Sequence, residues 1–243
     1  PYDGKKLSEN QPIEVLMPKG ELVYPMSQHI GAPAVPLVQK GDPVLVGQKI
    51  GEAGGFISAN VICSVSGTVK GIEKRRTAGG DMVECVIVEN DGEYRTIAGM
   101  GEERDPSSLS SKEILEIIKE AGITGLGGAG FPTHVKLAPK EPDKIDFVIV
   151  NGAECEPYLT SDYRVMLEEG EKVVQGLKVI LQLFPKAQGV IGIEDNKPEA
   201  IRHMEKLVQN ESRIRVQPLK TKYPQGGERT LIYAVTGRKI NSS

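Results

Sequence analysis

The sequence predicts a small all-β domain followed by an α/β domain with a largely parallel sheet. Between residues 21 and 103, short β-branched runs alternate with Gly and Pro, and no helical period appears. From residue 144 onward, apolar runs of strand length alternate with stretches of helical period, the pattern of a parallel sheet joined by helices. A length of 243 residues suits one large or two ordinary domains, and 39% hydrophobic against 26% charged residues is enough apolar material for a proper core. The net charge of −3 carries no concentrated basic face, which argues against a nucleic-acid partner, and the short run Lys74-Arg75-Arg76 reads as a solvated turn.

In order, residues 1–20 read as an extended arm leading into strands. Strands are expected at Val35–Val38, Val44–Val46, Val61–Val65, Thr68–Ile72 and Met82–Val88, making a small barrel or sandwich. Gly101 to Pro106 and the serines after it form a linker, so the boundary is drawn between residues 103 and 104. Ser110 or Ser111 caps a helix with Glu113 in its first turn, and Ile114, Leu115, Ile117, Ile118 and Ala121 line one face up to Gly122. Lys144–Val150 (KIDFVIV) reads as a strand buried on both faces. A helix over Asp162–Leu183, a strand at Gly189–Glu194, a helix at Pro198–Gln209, a strand at Arg213–Gln217 and a helix at Glu228–Val235 complete the chain.

Three stretches carry candidate chemistry. Gly125, Gly127, Gly128 and Gly130 leave backbone N–H groups free to turn toward an anion, with Pro132 suited to a helical first turn and Lys136 one turn further on. The Walker spacing is absent, and the G-x-G-x-x-G drawn over Gly125, Gly127 and Gly130 follows a helix rather than a strand. The stretch therefore reads as a phosphate cradle or as a structural turn. The loop after the first parallel strand, Asn151 to Tyr158, puts an amide and two carboxylates, Glu154 and Glu156, where α/β sheets bind ligands. Such carboxylates accept from ribose hydroxyls and are poor partners for phosphate; an exposed acidic turn is the other reading. Tyr223-Pro224-Gln225-Gly226-Gly227-Glu228-Arg229 opens the last helix on a glycine pair, offering an aromatic ring, an anion-friendly helix end, an acceptor and a cation. No residue is singled out as catalytic. Cys63, Cys85 and Cys155 form no C-x-x-C pair, so no metal or cluster site is expected within this chain, and His203 reads as structural. No apolar run approaches the ~20 residues of a membrane span.

The text Gly41 to Gly51 followed by Ser64-Val65-Ser66-Gly67-Thr68-Val69 resembles the two halves of a biotinyl/lipoyl-type barrel-sandwich hybrid. The place of the cofactor-bearing lysine falls near Phe56, and no lysine lies between Ile50 and Val69, so a scaffold or docking surface is expected there rather than a carrier. Gly125–Lys136, Asn151–Pro157 and Tyr223–Thr230, in that order, resemble the flavin- and NADH-binding subunit family of respiratory complex I and of soluble NAD-linked hydrogenases and formate dehydrogenases. With Ser27 to Pro33 and Ser64 to Gly67 added, the chain resembles the RnfC family of the Rnf electron-transport complex over nearly its whole length.

That resemblance implies a barrel-sandwich hybrid over 1–103 and a Rossmann-like α/β domain over 104–243 that binds FMN and NAD(H). It implies that Gly125, Gly127, Gly128, Gly130 and Lys136 hold FMN, that Asn151 lies near its polar edge, and that Glu154, Glu156 and Glu228 contact flavin or nucleotide, with Tyr223 and Gly227 in the same loop. The implied activity is that of an ion-translocating NADH:ferredoxin oxidoreductase. The implied place is peripheral, on the cytoplasmic face of a bacterial or archaeal membrane, beside other membrane and peripheral subunits and ferredoxin or a neighbouring iron–sulfur subunit. Two [4Fe–4S] clusters belong to the full-length family pattern, but their ligands are absent from this sequence, which is expected to be a piece of a longer protein, inactive by itself. Departures from the complex I pattern are Leu126 for Arg, Ala153 for Asp, Arg229 for Glu, and one extra residue between Tyr223 and Gly227. Two alternatives are a flavin-free docking protein, similar to the A component of the Na⁺-translocating NADH:quinone reductase, and a flavin and iron–sulfur cobalamin reductase.

Overall fold

A computed structural model describes residues 3–126 and 130–240. The chain forms two compact units, Leu16–Lys140 and Pro1–Val15 with Glu141–Ser243.

The first unit begins with seven strands: β1 (Glu21–Pro25), β2 (Val35–Pro36), β3 (Pro43–Val44), β4 (Lys49–Glu52), β5 (Val61–Ile62), β6 (Gly67–Arg76) and β7 (Met82–Asn90). They make two antiparallel sheets, in the orders β1-β7-β6-β3 and β2-β4-β5. Met26, Val44, Ile50, Val61, Val69 and Val88 share one core. Proline holds β2 and β3 to two residues, shorter than the apolar runs suggest, while β6 runs on through Lys74-Arg75-Arg76, which is strand and not the solvated turn its charges suggest. Phe56, between β4 and β5, is 83% exposed.

Helix α1 (Ser111–Glu120) starts on a capping box: Ser110 Oγ accepts from the Glu113 N–H and Glu113 Oε2 accepts from the Ser110 N–H. Its C-terminal end is anchored within the same unit. Asn60 Nδ2 donates to the carbonyls of Lys119 (3.2 Å) and Glu120 (3.4 Å), and Lys49 Nζ lies 2.8 Å from Glu120 Oε2. The Asn60 bonds satisfy carbonyls that the helix leaves open. These contacts tie α1 to the strands of the unit Leu16–Lys140. Of the apolar face, Ile114 is buried while Ile117 stays 37% exposed. A four-residue helix, α2 (Thr133–Lys136), ends the unit.

The second unit holds β8 (Phe147–Gly152), α3 (Ser161–Glu168), α4 (Gly170–Leu183), β9 (Gln188–Glu194), α5 (Pro198–Val208), β10 (Ile214–Leu219) and α6 (Glu228–Thr236). The sheet is parallel, ordered β10-β9-β8. Successive residues of β9 face opposite ways, so Leu177 and Leu181 of α4 lie over Gly189 while Leu231 of α6 lies over Gly192, and helices cover both sides. The strand buried on both faces is the central β9; β8, expected in that role, is an edge strand and only half-buried. The single helix expected over Asp162–Leu183 is broken at Glu169, whose φ and ψ are −127° and 22°. Gly170 there is buried against α5, and a Cβ on it would stand 2.9 Å from Leu207.

The N-terminal arm also departs from expectation. Lys5–Leu7 form a 3₁₀ turn, and the arm packs on the segment after β8 instead of simply leading into β1. The Tyr158 N–H donates to the Asp3 carbonyl (2.7 Å), Ser8 Oγ meets Thr160 Oγ1 (2.8 Å), and the Ile13 N–H donates to the Glu168 carboxylate (3.1 Å).

Candidate functional site

In the first unit, the glycine stretch is closed at its base by backbone pairing. Thr124 and Pro132 form an antiparallel bridge, the Gly125 N–H donates to Phe131 O (2.9 Å), and the Thr133 N–H donates to Ile123 O (3.0 Å). Gly127 and Gly128 lie outside the described residues. Gly130 has φ +59°, a left-handed conformation, and a Cβ there would lie 3.0 Å from Gln28 O. Leu126 is fully exposed. Pro132 precedes α2 as its N-cap, and Lys136, on the last position of α2, is exposed.

In the second unit, all three parallel strands deliver polar residues at their carboxyl ends, the edge where sheets of this kind bind ligands. The Asn151 side chain joins the loop after β8 to the loop before α6: Nδ2 donates to Gly226 O (2.9 Å), and Oδ1 accepts from the Ala153 N–H (3.2 Å). Two further bonds join the same loops, Tyr223 OH to Glu156 Oε1 (3.2 Å) and the Gly226 N–H to Cys155 Sγ (3.4 Å). The hydrogen bond to Glu156 raises the Tyr223 hydroxyl above its usual range. Gly226 permits this approach, since a Cβ on it would stand 2.4 Å from Ala153 O. Gly227 is the N-cap of α6 and offers no side chain to its first N–H groups, while Glu228 begins that helix, exposed, with Arg229 beside it.

The two acidic residues of the β8 loop have different surroundings. Glu156 is exposed. Glu154 is 5% exposed, which excludes the reading of that whole stretch as an exposed acidic turn. Its Oε1 accepts from the Asp162 N–H (2.7 Å), while its buried Oε2 has no hydrogen-bond partner among the described residues; Lys5 Nζ lies 3.9 Å away. Burial, the larger effect, raises the Glu154 carboxyl above its ordinary value against the Asp162 N–H bond.

Several polar residues at this edge escaped the sequence reading. Lys197 and Glu194 are 4% and 1% exposed. Lys197 Nζ donates to Glu194 Oε2 (3.2 Å), Asn196 Oδ1 (3.0 Å) and Glu154 O (3.4 Å), tying the carboxyl end of β9 to the β8 loop. Gln225 is 2% exposed and donates to Lys220 O (2.9 Å). The strand-end rule applied to β9, as it was to β8, marks Glu194 to Lys197. Nothing in the pattern around Lys5 marks that residue. Among the described residues there is no cluster of metal-ligating side chains and no helix long and apolar enough to cross a membrane.

Residues 118–243 match the family model of the Nuo51 FMN-binding domain, and residues 1–93 match that of the RnfC barrel sandwich hybrid domain. The chain is 47% identical over 242 residues to the C component of the proton-translocating ferredoxin:NAD(+) oxidoreductase complex of Clostridium ljungdahlii, covering 100% of this chain and 53% of that protein. It is 48% identical to the C component of the Na(+)-translocating ferredoxin:NAD(+) oxidoreductase complex of Acetobacterium woodii, covering 91% of this chain and 50% of that protein. It is 39% identical to the C component of the ion-translocating oxidoreductase complex of Pseudomonas aeruginosa, covering 97% of this chain and 30% of that protein. The chain thus spans about half the length, or less, of these curated relatives.

Proposed function

The chain belongs to the Nuo51 FMN-binding domain family, with an RnfC-type barrel-sandwich hybrid ahead of that domain, and from this premise we propose that it is the flavin-binding part of a peripheral electron-transfer subunit. The protein would pass electrons between NAD(H) and iron–sulfur partners, ferredoxin among them, within an ion-translocating complex at the cytoplasmic face of the membrane. The observation that carries this reading is the pair of loops knitted together by Asn151 and Gly226 at the carboxyl edge of the parallel sheet.

The residues present suit a flavin mononucleotide. Gly226 packs directly on the Ala153 carbonyl, an approach a Cβ would block, and so brings the two ligand-edge loops together. Glu156 and Glu228 are exposed acceptors for hydroxyl or N–H donors, and the Tyr223 ring, 67% exposed, offers a surface for an aromatic ligand. Gly125, Gly127, Gly128, Gly130 and the Lys136 ammonium would hold the phosphate. Asn151 and Gly227 would shape the flavin's polar edge, and Glu154, turned inward, would fix the loop that presents Glu156. Bound FMN supplies hydride exchange with the nicotinamide and release of electrons one at a time. The chain's own share is to bind, orient and exclude water.

Adding the purified protein to FMN is expected to quench flavin fluorescence, and Lys136→Ala to weaken FMN binding about tenfold, as for loss of one charged hydrogen-bond donor. Equal affinity in the variant would remove Lys136 from the site. Absence of quenching by the unmodified chain would favour the flavin-free docking alternative.

A further inference from the structure

Lys5 lies far in sequence from every loop discussed above, yet it is only 7% exposed. Its Nζ donates to the carbonyls of Glu156 (2.9 Å) and Leu159 (2.6 Å) and lies 3.9 Å from Glu154 Oε2. One ammonium thus holds three points of the segment from Glu154 to Leu159. Around it the arm adds the Tyr158 N–H bond to Asp3 O (2.7 Å), the Ser8 to Thr160 contact (2.8 Å) and the Arg164 bond to Glu9 O (3.2 Å). Gly4, at φ +71°, lies against the Tyr158 ring, where a Cβ would come within 2.3 Å. The arm and the segment are fitted to each other.

Beside this contact lies a cavity of about 230 Å³, lined by Lys5, Lys6, Glu154, Tyr163, Asn196 and Lys197 among others. Its two buried ammonium groups are already engaged: Lys197 by three acceptors, Lys5 by two carbonyls and the facing Glu154 carboxylate. That makes it the polar interior of a clamp rather than a pocket with free donors. The exposed Glu156, which the flavin reading offers to the ligand, belongs to the residue whose carbonyl Lys5 holds.

We propose that Lys5 is a positioning residue: the N-terminal arm uses its ammonium to set the Glu154–Thr160 segment, and so sets how Glu156 and Tyr223 are presented to flavin or nucleotide. The second half of this statement rests on the flavin reading; the first does not. A charged donor replaced by a methyl group removes bonds to two backbone carbonyls that no other described side chain takes over.

The test compares the full chain with Lys5→Met, Lys5→Arg and Lys186→Met, using hydrogen exchange of backbone amides and FMN titration well below the unfolding temperature. Lys5→Met is expected to raise exchange at the amides of Tyr158 and Asp162 about tenfold and to weaken FMN binding about tenfold, with β9 amides unchanged. Lys5→Arg, which keeps charge and donors, should recover much of both, and Lys186→Met, an exposed lysine between α4 and β9, should change neither. Unchanged exchange in Lys5→Met overturns the clamp. Faster exchange with unchanged FMN affinity overturns its link to the ligand, and an Arg variant no better than Met would show packing rather than charge at work, against the proposal. If the unmodified chain binds no FMN, the flavin reading fails and exchange alone decides the clamp. Should Lys5→Met not fold, Lys5→Gln, which still donates, grades the same two readouts.

Discussion

The loop after β8 and the glycine stretch before α2 are held in shape by different means. Side chains fix the first: Asn151, Cys155, Glu154, Glu156 and Lys5 each bond a backbone or side-chain atom of the loop or its neighbour. Backbone pairing fixes the second at its base, through Gly125 with Phe131 and Ile123 with Thr133. A loop set by side chains can be retuned one contact at a time. A loop set by backbone is indifferent to most side-chain chemistry and intolerant of a Cβ where its conformation or clearance forbids one.

The sharpest way to break this contrast is Gly226→Ala, because the side-chain loop depends there on one close backbone approach. The new methyl carbon would stand 2.4 Å from Ala153 O, a backbone atom that cannot step aside as a flexible side chain would. The expected cost is about 1–3 kcal/mol, read from the slowest β9 amides in hydrogen exchange. A loss within about 0.5 kcal/mol, the range of an ordinary surface change, would mean the two loops separate without penalty.

Gly130→Ala tests the other construction and should cost less. Alanine at φ +59° bears a left-handed penalty of about 1–2 kcal/mol, and its contact with Gln28 O at 3.0 Å is tight but short of a collision. The effect should appear as faster exchange at the Gly125 and Thr133 amides, leaving the β8 loop untouched. Equal perturbation of both loops would contradict their independent construction.

These differences also decide what could be read from sequence. The capping box at Ser110 and Glu113, the stop at Gly122, and the α5 and α6 boundaries were legible because their signals are local, lying within a few residues of the effect. The break at Glu169 was not, because it answers to α5 packing on Gly170 from across the unit. The edge position of β8 was hidden for a similar reason: KIDFVIV is as apolar as a central strand, and only the order of strands reveals which one lies in the middle. In the candidate site, residue types were legible and directions were not. Glu154 and Glu156 are two positions apart and look equivalent in sequence, yet one is buried and the other exposed. Lys5 was invisible because its partners, from Glu154 to Leu159, lie at the far side of the sequence.

The smallest expected effect is also the most specific to the side-chain loop. Glu154 is raised by burial above the ordinary glutamate value of 4.5. Between that value and its folded one, the folded chain holds a proton that the unfolded chain has released. Stability therefore falls as pH rises through this window, having been fully present below it. Glu154→Gln removes the titration while keeping an oxygen to accept the Asp162 N–H, so its β9 exchange should lose that part of the pH dependence. Lys5→Met should do the reverse, since withdrawing the facing ammonium raises the Glu154 carboxyl further and widens the window. The glycine stretch between Gly125 and Gly130 contains no ionisable side chain, so Gly130→Ala should shift stability equally at every pH. Identical pH slopes for the unmodified chain and Glu154→Gln would mean that the Glu154 carboxyl meets water in solution, and that the arm does not seal the loop.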